Sequence, residues 1–204
     1  TPDTEANAQL QRESLKNASI FYFLNFHRPH VLDFIMQGLW IKTQSSPFEA
    51  PYFSCVPYLL GEGQAMQYSV WPESSMKTPI PRLPLRPPDD YLRQAMVKSL
   101  EQGDVELDVR LQLQTDPHLM PIENNAVLWP ERLSPRVSVA TLRIPKQKFD
   151  SPAQIAFARR LSYNPWHCIA EHRPLGNQSR ARRRMYFELS KYRHDMSGVP
   201  HYEP

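Results

Sequence analysis

Val105, Leu107, Val109, Leu111 and Leu113 alternate with Glu106, Asp108, Arg110 and Gln112. This period-two pattern predicts a strand with one wet face. Residues 136–144 read as a second strand, whose apolar phase shifts between Val139 and Leu142. A bulge, or burial on both faces, accounts for such a shift. Met66, Tyr68 and Val70 also alternate with polar residues, which predicts one buried face. The runs 51–60 and 65–71 flank Gly61-Glu62-Gly63-Gln64, a hairpin signal. Residues 17–26 are aromatic and β-like.

Helical spacing appears elsewhere. Pro29 opens a helix over 30–39, with Val31, Phe34, Ile35 and Leu39 on one face. The run 88–103 has aspartates at its start as caps and Gly103 where a C′ glycine belongs. Ser151-Pro152-Ala153-Gln154 starts a short helix with serine as cap and proline in its first turn. Residues 165–176 read as an ordered loop, and a helix follows from Asn177 to His194. Residues 1–16 are polar without periodicity and read as an arm or loop.

Composition narrows the class. A chain of 204 residues that is 41% hydrophobic supports one core, with room for an extended arm. Six glycines against 21 prolines, with joints such as 79–88, predict long extended connections rather than tight turns. Cys55 and Cys168 lie far apart and read as reduced thiols. No apolar run reaches transmembrane length and no secretory leader is visible, so a cytoplasmic location is expected. The first residue is Thr, so the chain is expected to be a processed or truncated piece. Net charge is +3, with basic residues concentrated at 173–193, so no nucleic-acid partner is expected.

The last helix carries the chemistry. Arg182, Tyr186, Leu189 and Arg193 fall on one stripe. A guanidinium one turn below a phenol favours the phenolate, and a phenolate is an iron ligand. The spacing equally fits an amphipathic surface helix whose arginines meet water or acidic neighbours. His167, Cys168 and His172 offer zinc donors without a fourth ligand, and fit ordinary loop residues. Cys168 has no glycine-rich nucleophile turn around it. His27 and His30 fit a surface helix start as well as a general base. Arg182–Arg184 beside tyrosine fits RNA contact, but no basic stripe elsewhere supports it.

Four stretches together change the odds. They are Pro165-Trp-His-Cys-Ile-Ala-Glu-His-Arg-Pro-Leu-Gly176 leading into Arg180-Ala-Arg-Arg-Arg-Met-Tyr186; Met120-Pro-Ile-Glu-Asn-Asn125; Trp129-Pro-Glu131; and Phe149-Asp-Ser-Pro-Ala-Gln154. Over roughly residues 17–194 the chain resembles the C-terminal part of small bacterial catalase-like haem proteins. The resemblance implies that Tyr186 is the iron ligand of haem b. Arg182 would hold it as phenolate and Arg193 would pair with a propionate. Tyr163, before Asn164-Pro165, would line the proximal face. Asn17-Ala-Ser-Ile-Phe21-Tyr22 is similar to the distal Asn-Thr-Pro-x-Phe-Phe of catalases, with Ala18, Ser19 and Tyr22 departing from it and Leu24-Asn25 replacing an Arg-Asp. Asn17 would be catalytic, orienting peroxide, and Phe21 would keep the pocket dry.

No histidine here matches the family's distal one, so an upstream segment of the same or a separate chain is the expected source. The implied fold is α+β, part of a catalase-type antiparallel β-barrel with flanking helices. After the arm at 1–16, residues 17–204 would form the C-terminal portion of a single domain. The strands visible here cannot close a barrel, so further strands are expected from upstream or from another chain. The implied function is haem-dependent metabolism of hydrogen peroxide or an organic hydroperoxide, of catalase or peroxidase type. The alternatives are a non-catalytic haem-binding or haem-free scaffold and a hydroperoxide-rearranging tailoring enzyme. A homo-oligomer is expected by the same resemblance.

Overall fold

Alternation becomes one antiparallel sheet of five strands: β1 (Tyr52–Phe53), β2 (Tyr58–Leu59), β3 (Ala65–Pro72), β4 (Val105–Leu113) and β5 (Val137–Ile144). The computed structural model describes residues 4–17, 20–24, 30–40, 43–73, 79–81 and 87–200. The expected hairpin joins β2 to β3, with Leu60 N–H donating to Gln64 O at 2.7 Å. Both β1 and β2 pair with β3, and the order then runs β3-β4-β5, with β5 at the outer edge.

The register defines two faces, because directly opposed residues point the same way. Met66 opposes Leu113, Tyr68 opposes Leu111 and Val70 opposes Val109. Leu111 opposes Val137, Val109 opposes Ala140 and Leu107 opposes Leu142. One face is therefore apolar across three strands. The expected phase shift in β5 is a bulge: Arg110 pairs with Ser138 while Val109 pairs with Ala140, so Val139 is the extra residue. Val137 lies on the odd phase and Leu142 and Ile144 on the even phase. The bulge puts all three on the same side.

The expected wet face is wet at Glu106 but covered at the Gln112 end. Gln112 is 1% exposed, and Ser69 beside it is also buried. Gln112 Nε2 donates to Trp129 O at 3.1 Å and to Ser134 O at 2.9 Å. The connection 115–135 thus folds over the polar face. It also supplies Met120 and Trp129, which pack with Ala65 and with Ile122, Leu133 and Leu175. Arg110 and Arg136 lie over the Trp71 ring on the same side. The apolar face is the open one: Val137 is 58% exposed, and Leu113 and Leu142 are exposed too. Met66 and Leu107 are its buried members. The expectation of burial on the Met66, Tyr68 and Val70 side is met only at Met66.

Among the described residues six α-helices accompany the sheet: α1 (Thr4–Leu15), α2 (Ile20–Phe23), α3 (Val31–Trp40), α4 (Tyr91–Gln102), α5 (Pro152–Arg160) and α6 (Asn177–Ser197). The segment read as an arm or loop is helical in α1, yet it buries no residue, as an arm would. The β-like reading of 17–26 is corrected within the described residues: Ile20–Phe23 is a helical turn. There Tyr22 stacks on His30 with ring centroids at 4.4 Å, and Phe23 meets Phe34 at 5.3 Å. Aromatic packing holds this turn rather than strand pairing. Residues 25–29, with His27 and Pro29, lie outside the described residues.

Helix α3 forms as expected, with Val31, Phe34, Ile35 and Leu39 exposed. Asp90 precedes α4 but accepts from Gln94 Nε2 at 2.7 Å rather than from a backbone N–H. Gly103 is extended, not left-handed. Ser151 caps α5, accepting from Gln154 N–H. Gly198, left-handed, ends α6. Cys55 and Cys168 are free thiols. Among the described residues no helix is long and apolar enough to cross a membrane.

Candidate functional site

The rotation of α6 is set at its first turn. Gly176 has φ +84° and ψ 164°, and a Cβ there would sit 3.0 Å from Ile122 O. Only glycine occupies that backbone region without strain. The turn lets Asn177 N–H donate to Glu123 Oε2 at 2.7 Å, placing a carboxylate at the positive end of the helix. Arg180 also reaches Glu123, and Asn125 bonds Gln178. From the other side Trp166 Nε1 donates to the buried Ser179 O at 2.8 Å. The Met-Pro-Ile-Glu-Asn-Asn stretch and the 165–176 loop thus hold the same helix end.

That loop also docks the helix onto the sheet. Leu59 N–H donates to Arg173 O at 2.9 Å, Leu175 N–H to Pro57 O at 2.9 Å, and Tyr58 bridges Pro174. Tyr58 consequently lies within electrostatic reach of Arg182 and Tyr186, one helical turn apart on α6. Tyr58 and Tyr68 rings are 5.1 Å apart on the apolar side of the sheet. Burial pushes the Tyr58 phenol well above the ordinary tyrosine value, helped by the Tyr68 charge and hydrogen bond, with the Arg182 cation opposing. Tyr58 therefore stays neutral. Tyr186, one turn along α6 from Arg182, is 40% exposed.

Other expected site residues are placed differently. Arg193 NH1 donates to Arg159 O at 3.3 Å, its NH2 donates to Leu161 O, and it meets His194 Nε2 at 3.0 Å. Its guanidinium thus closes the C-terminal end of α5. Tyr163, just beyond, is 76% exposed. Asn17 takes a left-handed φ of 54° just after α1, with its N–H bonded to Ser14 O. Phe21 is 67% exposed on α2. Among the described residues no hydrogen bond or ring contact joins Asn17 or Phe21 to Tyr186. His167, Cys168 and His172 are exposed, and no described group of three such side chains is arranged for a metal ion.

Two cavities stand out. One of about 560 Å³ lies between Ser46, Phe48, Glu49, Glu73, Asp104 and Glu106. The Lys146 backbone N–H and the Arg143 side chain hold the Asp104 carboxyl below the usual range. The other, about 430 Å³, lies along the far side of α6. Tyr186 lines neither. Tyr58, on the apolar side of the sheet, lies within electrostatic reach of it. Sequence reading missed Tyr58, Tyr68 and Glu123. The alternation that puts Tyr68 beside Met66, and the Tyr58 position across the hairpin, were the available signals.

Comparison with solved structures decides the fold. The chain matches a fungal catalase with a TM-score of 0.68 at 16% identity, over 86% of this chain and 37% of that one. This chain has a catalase-like fold. Catalase A from Saccharomyces cerevisiae matches at 0.68 and 14% identity, over 86% of this chain and 38% of that one. The chain therefore spans well under half the length of both catalases. At such identities the likeness concerns fold, not activity. No protein-family model and no curated protein matches the sequence. The expected α+β class, part of a catalase-type antiparallel sheet with flanking helices, holds, with the sheet open at β5.

Proposed function

We propose that this chain forms the proximal side of a haem-dependent, peroxide-metabolising enzyme of catalase or peroxidase type. The observation that carries the reading is Arg182 one turn below Tyr186, both within reach of the neutral Tyr58, in a catalase-like fold. The residues fit haem b in two respects. Tyr186 supplies a phenol, the donor that holds haem iron in catalases, with Arg182 one helical turn away. The neighbouring apolar sheet face is open, as an apolar macrocycle needs.

When bound, haem supplies the iron at which a peroxide O–O bond is cleaved. The chain's own residues divide the remaining work. Tyr186 would hold the iron through its phenolic oxygen, with Arg182 one helical turn away on the same stripe. Tyr58, kept protonated by burial, adds no competing anion. Arg193 would pair with a propionate from its place at the end of α5, and Tyr163 would cover the proximal face. Asn17 would orient hydrogen peroxide or an organic hydroperoxide, and Phe21 would exclude water.

In this reading residues 17–204 are the C-terminal portion of one domain. The distal histidine and the missing strands come from an upstream segment, in the same or a separate chain. The resemblance further implies a homo-oligomer, and a cytoplasmic location is part of the same proposal. The second reading, a haem-free or non-catalytic scaffold, is favoured by the exposure of Tyr186 and its absence from both cavities.

Titration of the chain with ferric haem separates the two. The first reading expects a saturable Soret band with ferric–tyrosinate absorption, lost in Tyr186→Phe while the circular dichroism is unchanged. No Soret change, or an identical spectrum in Tyr186→Phe, rejects the ligand assignment. Oxygen evolution from hydrogen peroxide then distinguishes dismutation from hydroperoxide rearrangement.

A further inference from the structure

The face of α6 turned away from Tyr186 carries its own pattern. Arg180, Arg183, Arg184 and Phe187 follow i, i+3, i+4 and i+7 spacing, so they form one stripe. All four line the 430 Å³ cavity, whose other wall is Asn164, Trp166 and His167. That volume suits a small molecule.

The charge in this cavity is not balanced. Glu123 meets Arg180 at 3.3 Å and Glu188 meets Arg184 at 3.7 Å, and neither carboxylate lines the cavity. Among the described residues no carboxylate pairs with Arg183. Its guanidinium lies instead over the Trp166 ring, 5.2 Å from the centroid. Trp166 is held by Ser179 O, so the stack is fixed from both ends. A stacked guanidinium keeps its N–H fork free and pre-orients it for an oxyanion. Arg180 and Arg184 each have donors beyond those that their ion pairs use. Phe187, 43% exposed, adds an apolar wall.

We propose that this cavity binds a small aryl phosphate, the phosphate held by Arg183 with Arg180 and Arg184, and the ring packed on Phe187. With two of the three guanidiniums already ion-paired, one net positive charge and the spare N–H donors of all three favour a phosphate, which Arg holds through paired N–H bonds. The site is separate from the Tyr186 face and needs no haem.

Calorimetric titration of the full chain with phenyl phosphate, inorganic phosphate and phenol tests it, in the absence of haem. Phenyl phosphate should bind saturably and tightest, inorganic phosphate more weakly, and phenol not at all. Arg183→Gln should weaken phenyl phosphate about tenfold or more, the size expected for losing charged hydrogen bonds. Arg184→Gln should weaken it in the same direction, and covers the case in which the first variant fails to fold. Phe187→Ala should weaken phenyl phosphate about fivefold and leave inorganic phosphate unchanged. Lys148→Gln, outside the cavity, should change nothing. Lack of saturation, equal binding of phenol, or unchanged affinity in both arginine variants overturns the proposal. So does a short single-stranded oligonucleotide that outcompetes phenyl phosphate, since that would make the stripe a nucleic-acid contact.

Discussion

At position 176 a single hydrogen in place of a methyl group decides how α6 leaves its loop. The backbone there is at φ +84°, and the nearest atom to a new Cβ would be a backbone carbonyl oxygen at 3.0 Å. A backbone oxygen cannot swing aside as a side chain can. Gly176→Ala should therefore cost about 2–3 kcal/mol, the upper part of the range for such strain. Chemical denaturation measures this, and an unchanged midpoint would mean that the turn does not set the helix. Tyr58 offers a second test at this scale. Burial above all, then Tyr68, raises its pKa in the fold. The folded chain thus holds that proton more tightly than the unfolded chain does. The linked stability is complete below a pH of about 10, the ordinary tyrosine value, and falls as pH rises above it. Tyr58→Phe removes the titration and should flatten the alkaline fall in denaturation midpoint. A fall of equal steepness in the variant would assign the alkaline sensitivity elsewhere.

Elements repeat the lesson that partners decide what a pattern means. Gln112 sits in perfect alternation on β4, yet its amide donates to two carbonyls of the connection 115–135. Gln112→Met keeps the bulk and removes both donors, leaving two carbonyls unpaired, and should cost about 2–3 kcal/mol in a thermal or chemical melt. That connection has no periodicity, so the sequence offered no sign of which side it would cover. By contrast β3, β4, the hairpin, α5 and α6 were legible, because each declares itself within a few residues. The bulge was legible as well, since Val139 and Leu142 cannot share a face without it. Helix α1 was missed because it buries nothing and so has no apolar stripe. Turn α2 was misread because aromatic residues score as strand formers wherever they pack. At the proposed site, Arg182 and Tyr186 share a stripe by spacing, but spacing alone also fits a surface helix, and only the family resemblance singled them out. Tyr58 joins them only through contacts between the loop and β2, far apart in sequence. Membership of the stripe placed Arg193 on the same side but could not reveal that α5 carbonyls would engage it.

The sheet's apolar face is open along β5 and its polar face is covered around Gln112, a partial reversal of what alternation alone leads one to expect. Val137, Leu142 and Leu113 are exposed on the open face, and β5 presents a free edge. Removing each such side chain from water is worth about 1.5–3 kcal/mol when burial is complete. The free edge adds unpaired N–H and C=O groups that template further pairing. The matched catalases are more than twice as long as the aligned part of this chain, so such a face has room to be an interior in a larger assembly. Taken alone, the chain should associate with rising concentration and bind an apolar dye. The double variant Val137→Lys with Leu142→Lys should shift sedimentation toward the monomer and lower dye binding. Its melting temperature should barely change, because neither side chain is buried. A chain that is already monomeric and dye-free before substitution would show that the face is covered in solution, and would remove the physical reason for expecting strands from elsewhere. A variant that unfolds outright would show that both residues are core, contrary to their exposure.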